Sequence, residues 1–485
     1  MKNNIFSRFL AVILCLVFAC TLFAPVSIVF AKEPVTEITV FSLEDYIDLG
    51  DESSGRQSVL DIFEQETGIK VNYYTFGTNE QMYNELQKKP EDCDLICTSE
   101  YLIMKMMREG YVRSFETPDT VKEYGSPYIK DVFKGLKIKD GENNELAFMT
   151  EDESSSYAVG YMWGTLGMIY RLDAISEGEL DSWAKLWDTK YKGRQTIKDS
   201  IRDSYIIALA YVYQDELLEL KAQFEKGEIS ALEYNEKITE IFNRTDTTSV
   251  EKAEESLVQL KSNMHGFEVD GGKTDILTGK IDINVAWSGD AVYAIQQGLY
   301  DEETWEELPE EKQVHLGYAV PEEGANIWFD AYVMTKDAEY EASREFLEFI
   351  SRPDVAVLNM TETGYTSCVA GDEVFDYVLE TYDDGEGEGT DFDLSYFFGE
   401  GEYTLNVSDF SKQMFMAQYP TEEIINRCAV MQDFEGEGLN AINAAWKRIK
   451  LTTLTTAQMI IIIVAIVLVV SGATVYKITK GKKRK

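Results

Sequence analysis

The segments "EITVFSLEDYI" (residues 37–47) and "RQSVLDIFEQETGIKVNYYTF" (residues 56–76) decide the fold class. The first is a short apolar strand. The second carries Val59 and Phe63 at helical spacing and then a second strand-like run, with Gly68 as a stop signal between them. Strand, helix and strand in this order predict an α/β architecture.

The same alternation continues in both directions along the chain. The segments 79–87 and 100–110 have helical patterns, and "CDLICTS" (93–99) between them is a strand. A series of this kind predicts mostly parallel sheets with helices on both faces, and ligands of such sheets bind beyond the carboxyl ends of the strands.

Three later segments extend this pattern. The charged stretch 214–250 predicts a helical hairpin that turns at Gly227, and "KIDINVAWSGDAVYAI" (280–295) predicts a strand followed by a helix. The stretch "SREFLEFISRPDVAVLNM" (343–360) has the apolar spacing of one amphipathic helix.

The first 31 residues have the pattern of a secretory signal peptide. Lys2 and Arg8 precede a long apolar run, and the small residues Val29 and Ala31 predict cleavage after Ala31. An uncleaved membrane anchor is the alternative interpretation.

A second apolar run lies between residues 451 and 476, which contain no charged side chain. About 20 apolar residues cross a bilayer as a helix, so we predict a transmembrane helix over 454–476. The six lysines and arginines of 477–485 predict a cytoplasmic tail. The sequence therefore predicts an exported domain, roughly 32–450, on the outer face of the cell membrane of a bacterium with a single membrane.

Composition limits the possible functions. The formal net charge of −41 excludes nucleic acid as a partner and favours small cations. Only two histidines occur and no Cys-x-x-Cys pair, so we expect no zinc site, no cofactor and no histidine-based catalytic triad. A disulfide among the four cysteines after the signal segment is possible in an exported protein.

Aromatic and acidic residues come together at three predicted strand ends: "CTSEY" (97–101), "AWSGDA" (286–291) and "IWFDAY" (327–332). In the third, strand alternation places Asp330 on the same face as Trp328. Ring faces attract ammonium groups by about 0.5–2 kcal/mol, and carboxylates accept charge-assisted hydrogen bonds from them. These segments predict a cleft for organic cations.

From about residue 37 to residue 450 the chain resembles the spermidine/putrescine-binding proteins of polyamine ABC transporters, which have the two-lobed periplasmic binding protein fold. The motifs that carry the resemblance are "FEQETGIKVNYYTFGTNEQMYNEL", "CDLICTSEYLIMKMMREG", "SWAKLWDTKYKG", "DSIRDSY", "AWSGDA", "IWFDAY", "FISRPDVA", "ETGYTS" and "VMQDF".

The resemblance implies two α/β lobes of the type II-like arrangement, each discontinuous in sequence. Lobe 1 comprises 36–162 and 328–373, and lobe 2 comprises 163–327 and 374–450, with crossing strands near Trp163 and Trp328. It also implies a receptor, not an enzyme, that captures a polyamine between the lobes and delivers it to the permease and ATPase subunits of an ABC importer.

The resemblance also implies the ligand contacts. They are Ser99, Tyr101, Asp203, Trp287, Trp328, Asp330, Tyr365 and Gln432, with the two aspartates pairing with ammonium groups and the aromatic rings flanking the methylene chain.

The chain departs from the family at three positions. Leu43 and Glu44 replace a tryptophan and a small hydroxyl residue, and Ser200 replaces one of two neighbouring acids. Glu44 either adds a carboxylate that suits a triamine or points to solvent.

Other functions stay open from the sequence. The fold also suits another small cationic solute, such as thiamine, or a polyamine sensor that delivers nothing. Receptors for ferric ion or organic acids fit less well. A ferric site needs clustered tyrosine, histidine or a bound anion, and a receptor for an organic acid needs arginine where Asp203 and Asp330 lie. The same two acids also match the residue types of a glycosidase pair, although no activated nucleophile accompanies them.

Overall fold

The computed structural model describes residues 35–451, except 52–54, 302–303, 305, 384 and 386. The predicted signal peptide (1–31), transmembrane helix (454–476) and basic tail (477–485) lie outside these residues. Within the described part of the chain, no helix combines the length and apolarity needed to cross a bilayer.

Sixteen strands occur in the described residues. They are β1 (Glu37–Leu43), β2 (Lys70–Phe76), β3 (Leu95–Ser99), β4 (Phe115–Glu116), β5 (Lys137–Lys139), β6 (Glu145–Ala147), β7 (Ser155–Ser156), β8 (Ala158–Arg171), β9 (Gln195–Lys198), β10 (Gly266–Glu268), β11 (Ile283–Trp287), β12 (Leu316–Ala319), β13 (Ile327–Met334), β14 (Thr366–Ser367), β15 (Thr390–Asp393) and β16 (Thr404–Val407).

The same part of the chain contains eighteen α-helices. They are α1 (Val59–Thr67), α2 (Asn79–Lys88), α3 (Glu100–Glu109), α4 (Asp119–Tyr124), α5 (Pro127–Gly135), α6 (Ile201–Val212), α7 (Gln214–Glu225), α8 (Ala231–Phe242), α9 (Thr247–Lys261), α10 (Gly272–Leu277), α11 (Ser288–Leu299), α12 (Tyr340–Ile350), α13 (Pro353–Thr363), α14 (Asp372–Tyr382), α15 (Ser395–Phe398), α16 (Lys412–Gln418), α17 (Glu422–Asn426) and α18 (Gly436–Leu451).

Ten strands form one sheet in the order β10-β9-β11-β8-β13-β3-β1-β2, and β12 and β14 also pair with β8. The outer strands pair in parallel, β1 with β2 and β3, and β9 with β10 and β11. The predicted parallel arrangement is therefore found in each half of the sheet. The centre differs from it, because β13, β8 and β11 pair antiparallel.

Strand β8 joins the two halves. Twelve of its fourteen residues are buried, as expected for a strand with both faces covered. Its first part pairs with β13, where Asp330 lies opposite Met162, and its second part pairs with β11, where Trp287 lies opposite Leu166. The carboxyl ends of β3, where Ser99 lies opposite Asp330, and of β11 therefore lie on opposite sides of the β8–β13 pair, beside its middle part.

Glycines end two helices of the first half as the sequence predicts. Gly68 after α1 and Gly110 after α3 adopt left-handed backbone angles, with φ of 74° and 73°. The predicted charged hairpin is also confirmed as α7 and α8, with Gly227 between them at φ 72°.

The single helix predicted over 343–360 is wrong. The chain forms two helices, α12 and α13, with Pro353 as the first residue of the second. Arg352 adopts extended backbone angles because the proline ring disfavours helical geometry in the residue before it.

The segment after residue 373 contacts parts of both predicted lobes. The Ser126 hydroxyl before α5 donates to the Phe397 carbonyl of α15, whereas the Tyr318 amide of β12 donates to Gln413 of α16. The lobe boundaries stay a prediction.

Cys93, Cys97, Cys368 and Cys428 are buried free thiols.

Candidate ligand-binding site

Asp330 is a buried carboxylate on β13, only 5% exposed. The Tyr46 hydroxyl donates to its Oδ2 atom over 2.6 Å, and Oδ1 has no hydrogen-bond partner among the described residues. Burial raises the pKa of Asp330, opposed by the Tyr46 hydroxyl and to a smaller extent by Ser99. No lysine or arginine of the described residues forms an ion pair with it. The carboxylate can therefore accept a further donor.

Three aromatic rings surround this carboxylate, and we call Asp330, Trp328, Tyr365 and Tyr46 the Asp330 cluster. The Tyr365 ring meets the Trp328 ring edge to face at 5.4 Å between centroids and the Tyr46 ring at 5.6 Å. The Trp328 indole N–H is buried and lacks a hydrogen-bond partner in the described part of the chain. The cluster thus offers one carboxylate oxygen, one N–H donor and several ring faces.

Two glycines permit this packing. A side chain at Gly164 of β8 would collide with the Trp328 ring, and one at Gly289 of α11 would collide with the Tyr365 ring. Only glycine lets each ring lie directly on the backbone at these positions. The glycine in "AWSGDA" therefore positions a ring contributed by a distant segment.

On the other half of the sheet, Lys198 at the end of β9 has its own cluster with Asp290, Glu268 and Trp287. The Lys198 ammonium donates to Asp290 Oδ2 at 2.9 Å, lies 3.3 Å from Glu268 Oε1, and sits 4.4 Å from the centroid of the Trp287 ring. Although burial favours the neutral acid, Lys198 and Lys273 hold the pKa of Asp290 below its ordinary value. We call Lys198, Asp290, Glu268 and Trp287 the Lys198 cluster.

Tyr365 connects the two clusters, because its hydroxyl donates to Asp290 Oδ1 over 3.4 Å. Asp203 lies next to the Lys198 cluster and is 4% exposed. Burial raises the pKa of Asp203, against the lowering influence of the Ser200 hydroxyl, the Lys198 ammonium and the Trp287 indole. Five of the predicted contacts are thus linked through the two clusters: Trp328, Asp330, Tyr365, Trp287 and Asp203.

Positions 199 and 200, the acid pair of the family, do not supply free carboxylates here. Asp199 accepts from the Lys450 ammonium at 2.6 Å. The Ser200 hydroxyl accepts from the Asp203 amide over 3.3 Å and caps helix α6. Aspartate would cap the helix equally well, so the structure does not explain why serine stands at position 200.

Ser99 and Tyr101 lie at the carboxyl end of β3. Asn79 donates to both hydroxyls, at 2.9 Å and 3.1 Å. The Arg202 guanidinium stacks on the Tyr101 ring at 3.7 Å, so one face of this ring already holds a cation of the chain.

Gln432 and Glu44 are less enclosed than the other predicted contacts, since both are exposed. The Gln432 backbone accepts from Arg202 and donates to Asn243, which fixes the chain without involving its side chain. Glu44 lies beside Gly77, and the neighbouring Leu43 is half-buried. The ligand roles of Gln432 and Glu44 stay predictions.

Glu100, at the first position of α3, is completely buried. Its Oε2 accepts from the Phe329 amide at 3.0 Å, and its Oε1 has no partner among the described residues. Burial raises the pKa of Glu100 to about 8, and the negative charge of Asp330 adds to the shift while the Phe329 amide opposes it. At neutral pH the Glu100 carboxyl therefore keeps its proton, and it lies close to the Asp330 cluster.

The sequence and the fold match a known family of proteins. The family described as "Bacterial extracellular solute-binding protein" matches residues 58–371. The chain belongs to this family. Proteins of this family bind solutes for transport, which agrees with the solute-binding function expected from the sequence.

Several proteins of similar sequence are polyamine-binding proteins. The spermidine/putrescine-binding periplasmic proteins of Salmonella typhimurium and Escherichia coli are 27% and 26% identical to this solute-binding protein over 309 residues, covering 63% of it and 72% of each relative. The putrescine-binding periplasmic protein SpuD of Pseudomonas aeruginosa is 22% identical over 416 residues, 85% of this chain and 91% of the relative. The resemblance to this group is confirmed.

Solved structures agree on the fold. A putative spermidine/putrescine ABC transporter protein from Listeria monocytogenes superposes with a TM-score of 0.59 at 21% identity, covering 86% of this chain and 99% of the other. The spermidine/putrescine substrate-binding protein of Streptococcus pneumoniae gives 0.55 at 21% identity with the same coverage. The two-domain α/β architecture of periplasmic binding proteins is thereby shown.

Sequence reasoning missed Tyr46 and Lys198 as site residues. Tyr46 follows β1 in "LEDYI", and its position just beyond a strand end was a usable signal. Lys198 in "TIKDS" gave none, because a lysine at a strand end is normally exposed.

Glu100 generates a prediction about stability and pH. The folded chain keeps a proton on Glu100 up to about pH 8, whereas the unfolded chain releases it near the ordinary pKa of 4.5. The free energy of unfolding therefore falls as pH rises between these values, by at most about 1.4 kcal/mol per pH unit. Glu100→Gln removes this dependence, so the variant should gain stability over the wild type as pH rises, measured by urea unfolding.

The exposed acid Glu116 on β4 supplies the matched control. Glu116→Gln makes the same substitution at an exposed position and so controls for the change of residue type. Parallel pH profiles for Glu100→Gln and the wild type would show that Glu100 is not a buried neutral acid.

Proposed function

We propose that this chain is a membrane-anchored extracellular receptor that captures a polyamine of the spermidine/putrescine type and delivers it to an ABC importer. It binds its ligand without changing it chemically. Its partners are the ligand, the permease and ATPase subunits, and the membrane through residues 454–476.

The observation that carries this proposal is the unpartnered oxygen of Asp330. Burying a carboxylate without a cation is costly, and the cost falls when an ammonium group completes the pair. The surrounding rings of Trp328, Tyr365 and Tyr46 suit the methylene groups next to that ammonium. The curated relatives with spermidine or putrescine in their names support the same ligand class.

Anchoring is supported by the sequence between 451 and 476, which has no charge and is followed by six basic residues. A receptor outside a single membrane needs a tether to stay near its importer. We therefore propose an extracellular domain held at the cell surface, with the C-terminus in the cytoplasm.

A thermal-shift screen tests the ligand class. Putrescine, cadaverine, spermidine, spermine, thiamine and amino acids are added to the purified chain. A ligand that binds only the folded state stabilises it by about 2.7 kcal/mol at 100 times its dissociation constant. Recovery of the unchanged amine from the complex distinguishes a receptor from an enzyme, and stabilisation by thiamine alone would contradict the polyamine assignment.

Asp330→Asn should separate binding from folding. Asparagine keeps an acceptor for the Tyr46 hydroxyl but removes the charge, so polyamine affinity should fall by roughly 1.5–3 kcal/mol, or more than tenfold. Because burial penalises the ionised aspartate, the unliganded variant should melt no lower than the wild type. Isothermal titration calorimetry and thermal melting measure the two quantities.

Glu323→Gln is the control for this experiment, since Glu323 is also buried but bonds Ser182 and the Trp183 amide. It should change stability without changing affinity. Unchanged affinity in Asp330→Asn together with a lower melting temperature would identify Asp330 as a structural residue instead.

Removal of all residues after Lys450 tests the anchor. The truncated chain should appear in the culture medium with its amine affinity unchanged, whereas the full chain stays with the membrane fraction. Immunoblotting of the two fractions and titration of the released chain provide the measurement. Retention of the truncated chain on the membrane would contradict the anchoring role of 454–476.

A further inference from the structure

Within the proposed function, we infer that the preferred ligand is a linear diamine rather than a triamine, because the Lys198 ammonium already neutralises Asp290 and Glu268 and leaves only Asp330 and Asp203 for the ammonium groups of a ligand. This inference rests on the polyamine-receptor proposal and restricts the ligand from polyamines in general to diamines.

The Lys198 side chain is 2% exposed, and its ammonium donates two hydrogen bonds, to Asp290 Oδ2 at 2.9 Å and to the Val269 carbonyl at 2.9 Å. It also forms an ion pair with Glu268, 3.3 Å from Oε1. The ammonium also lies 4.4 Å from the Trp287 ring centroid. Carboxylates plus an aromatic face are the contacts that an amine ligand would need, and here the chain supplies the amine itself.

The charges on this side of the site support a charged Lys198. Burial alone favours a neutral amine, but Asp290 and Glu268 raise the pKa of Lys198 above its ordinary value. Lys273 reaches Asp290 from the opposite side, 3.4 Å from Oδ1. Two lysines therefore neutralise the negative charge of Asp290, so Asp290 attracts a ligand ammonium only weakly.

Two acids of the site have no such close ion pair. Asp330 has an unpartnered oxygen, and Asp203 lies buried next to the Trp287 indole without an ion pair within 4 Å among the described residues. One ammonium for each of these carboxylates gives a ligand with two positive ends. A third ammonium would approach Lys198, and like charges brought together in a buried site repel strongly.

The test uses the full-length chain purified in mild detergent and titrated with putrescine, cadaverine and spermidine by calorimetry. The wild type should bind a diamine about tenfold or more tightly than spermidine. Lys198→Met removes the ammonium and leaves a side chain of similar length, so the third ammonium of spermidine can take the vacated position beside Asp290 and Glu268. The preference should shift toward spermidine by about tenfold or more.

Two further variants serve as controls. Lys273→Met also removes a cation bonded to Asp290 but leaves Lys198 over Trp287, so the diamine preference should persist. Lys198→Arg keeps the charge and should keep the preference as well. If Lys198→Met does not fold, the wild-type preference and the Lys198→Arg ratio still decide the question.

The outcomes separate the two proposals. A wild type that binds none of the amines overturns the proposed function. A wild type that binds spermidine as tightly as the diamines, or a Lys198→Met variant with an unchanged ratio, overturns the diamine inference and leaves the polyamine receptor in place.

Discussion

The antiparallel pairing of β8 with β13 is the contact on which both the sheet and the site depend. It joins the two parallel halves and places the carboxyl ends of β3 and β11 on opposite sides of its middle part. All eight residues of β13 are buried, and the register shifts between Asp330 and Ala331. A bulge at this place re-aims side chains, so the irregular position in the pairing coincides with the charged one.

The two halves of the site deal with buried charge in different ways. In the Lys198 cluster the chain neutralises its own carboxylates, which removes most of the need for an external cation. In the Asp330 cluster the carboxylate accepts from the Tyr46 hydroxyl, and no lysine or arginine in the described part of the chain pairs with it. A hydroxyl cannot compensate a full charge, so this end carries a desolvation cost that an ammonium relieves. The Asp330 end therefore gains more from a ligand ammonium than the Lys198 cluster does.

The sequence predicted those features of the fold that depend on residues close together in the chain. The strand and helix alternation, the glycine stops at Gly68 and Gly110, and the face shared by Trp328 and Asp330 all follow from periodicity over a few residues. The break between α12 and α13 before Pro353 could also have been predicted from the sequence, because the residue before proline avoids helical geometry. These features need no knowledge of distant contacts.

The remaining features depend on partners far along the chain. Tyr46 bonds a residue 284 positions away, and the buried Lys198 ammonium pairs with Asp290, 92 positions later. The antiparallel centre of the sheet likewise depends on how β8 crosses between halves. Sequence spacing contains none of this information, so the site could be predicted as acidic and aromatic but not as partly self-neutralised.

The overall charge and the buried charges act at different stages of binding. A net charge of −41 attracts every small cation, and this attraction is screened within about 10 Å at 0.1 M ionic strength. It raises the rate of encounter but cannot distinguish an amine from a metal ion. Asp330 and its rings are shielded from salt, and their hydrogen-bond geometry and ring faces favour an alkylammonium over a hydrated ion. Selectivity must therefore arise from the rate at which the ligand leaves the buried site, and not from the rate at which it arrives.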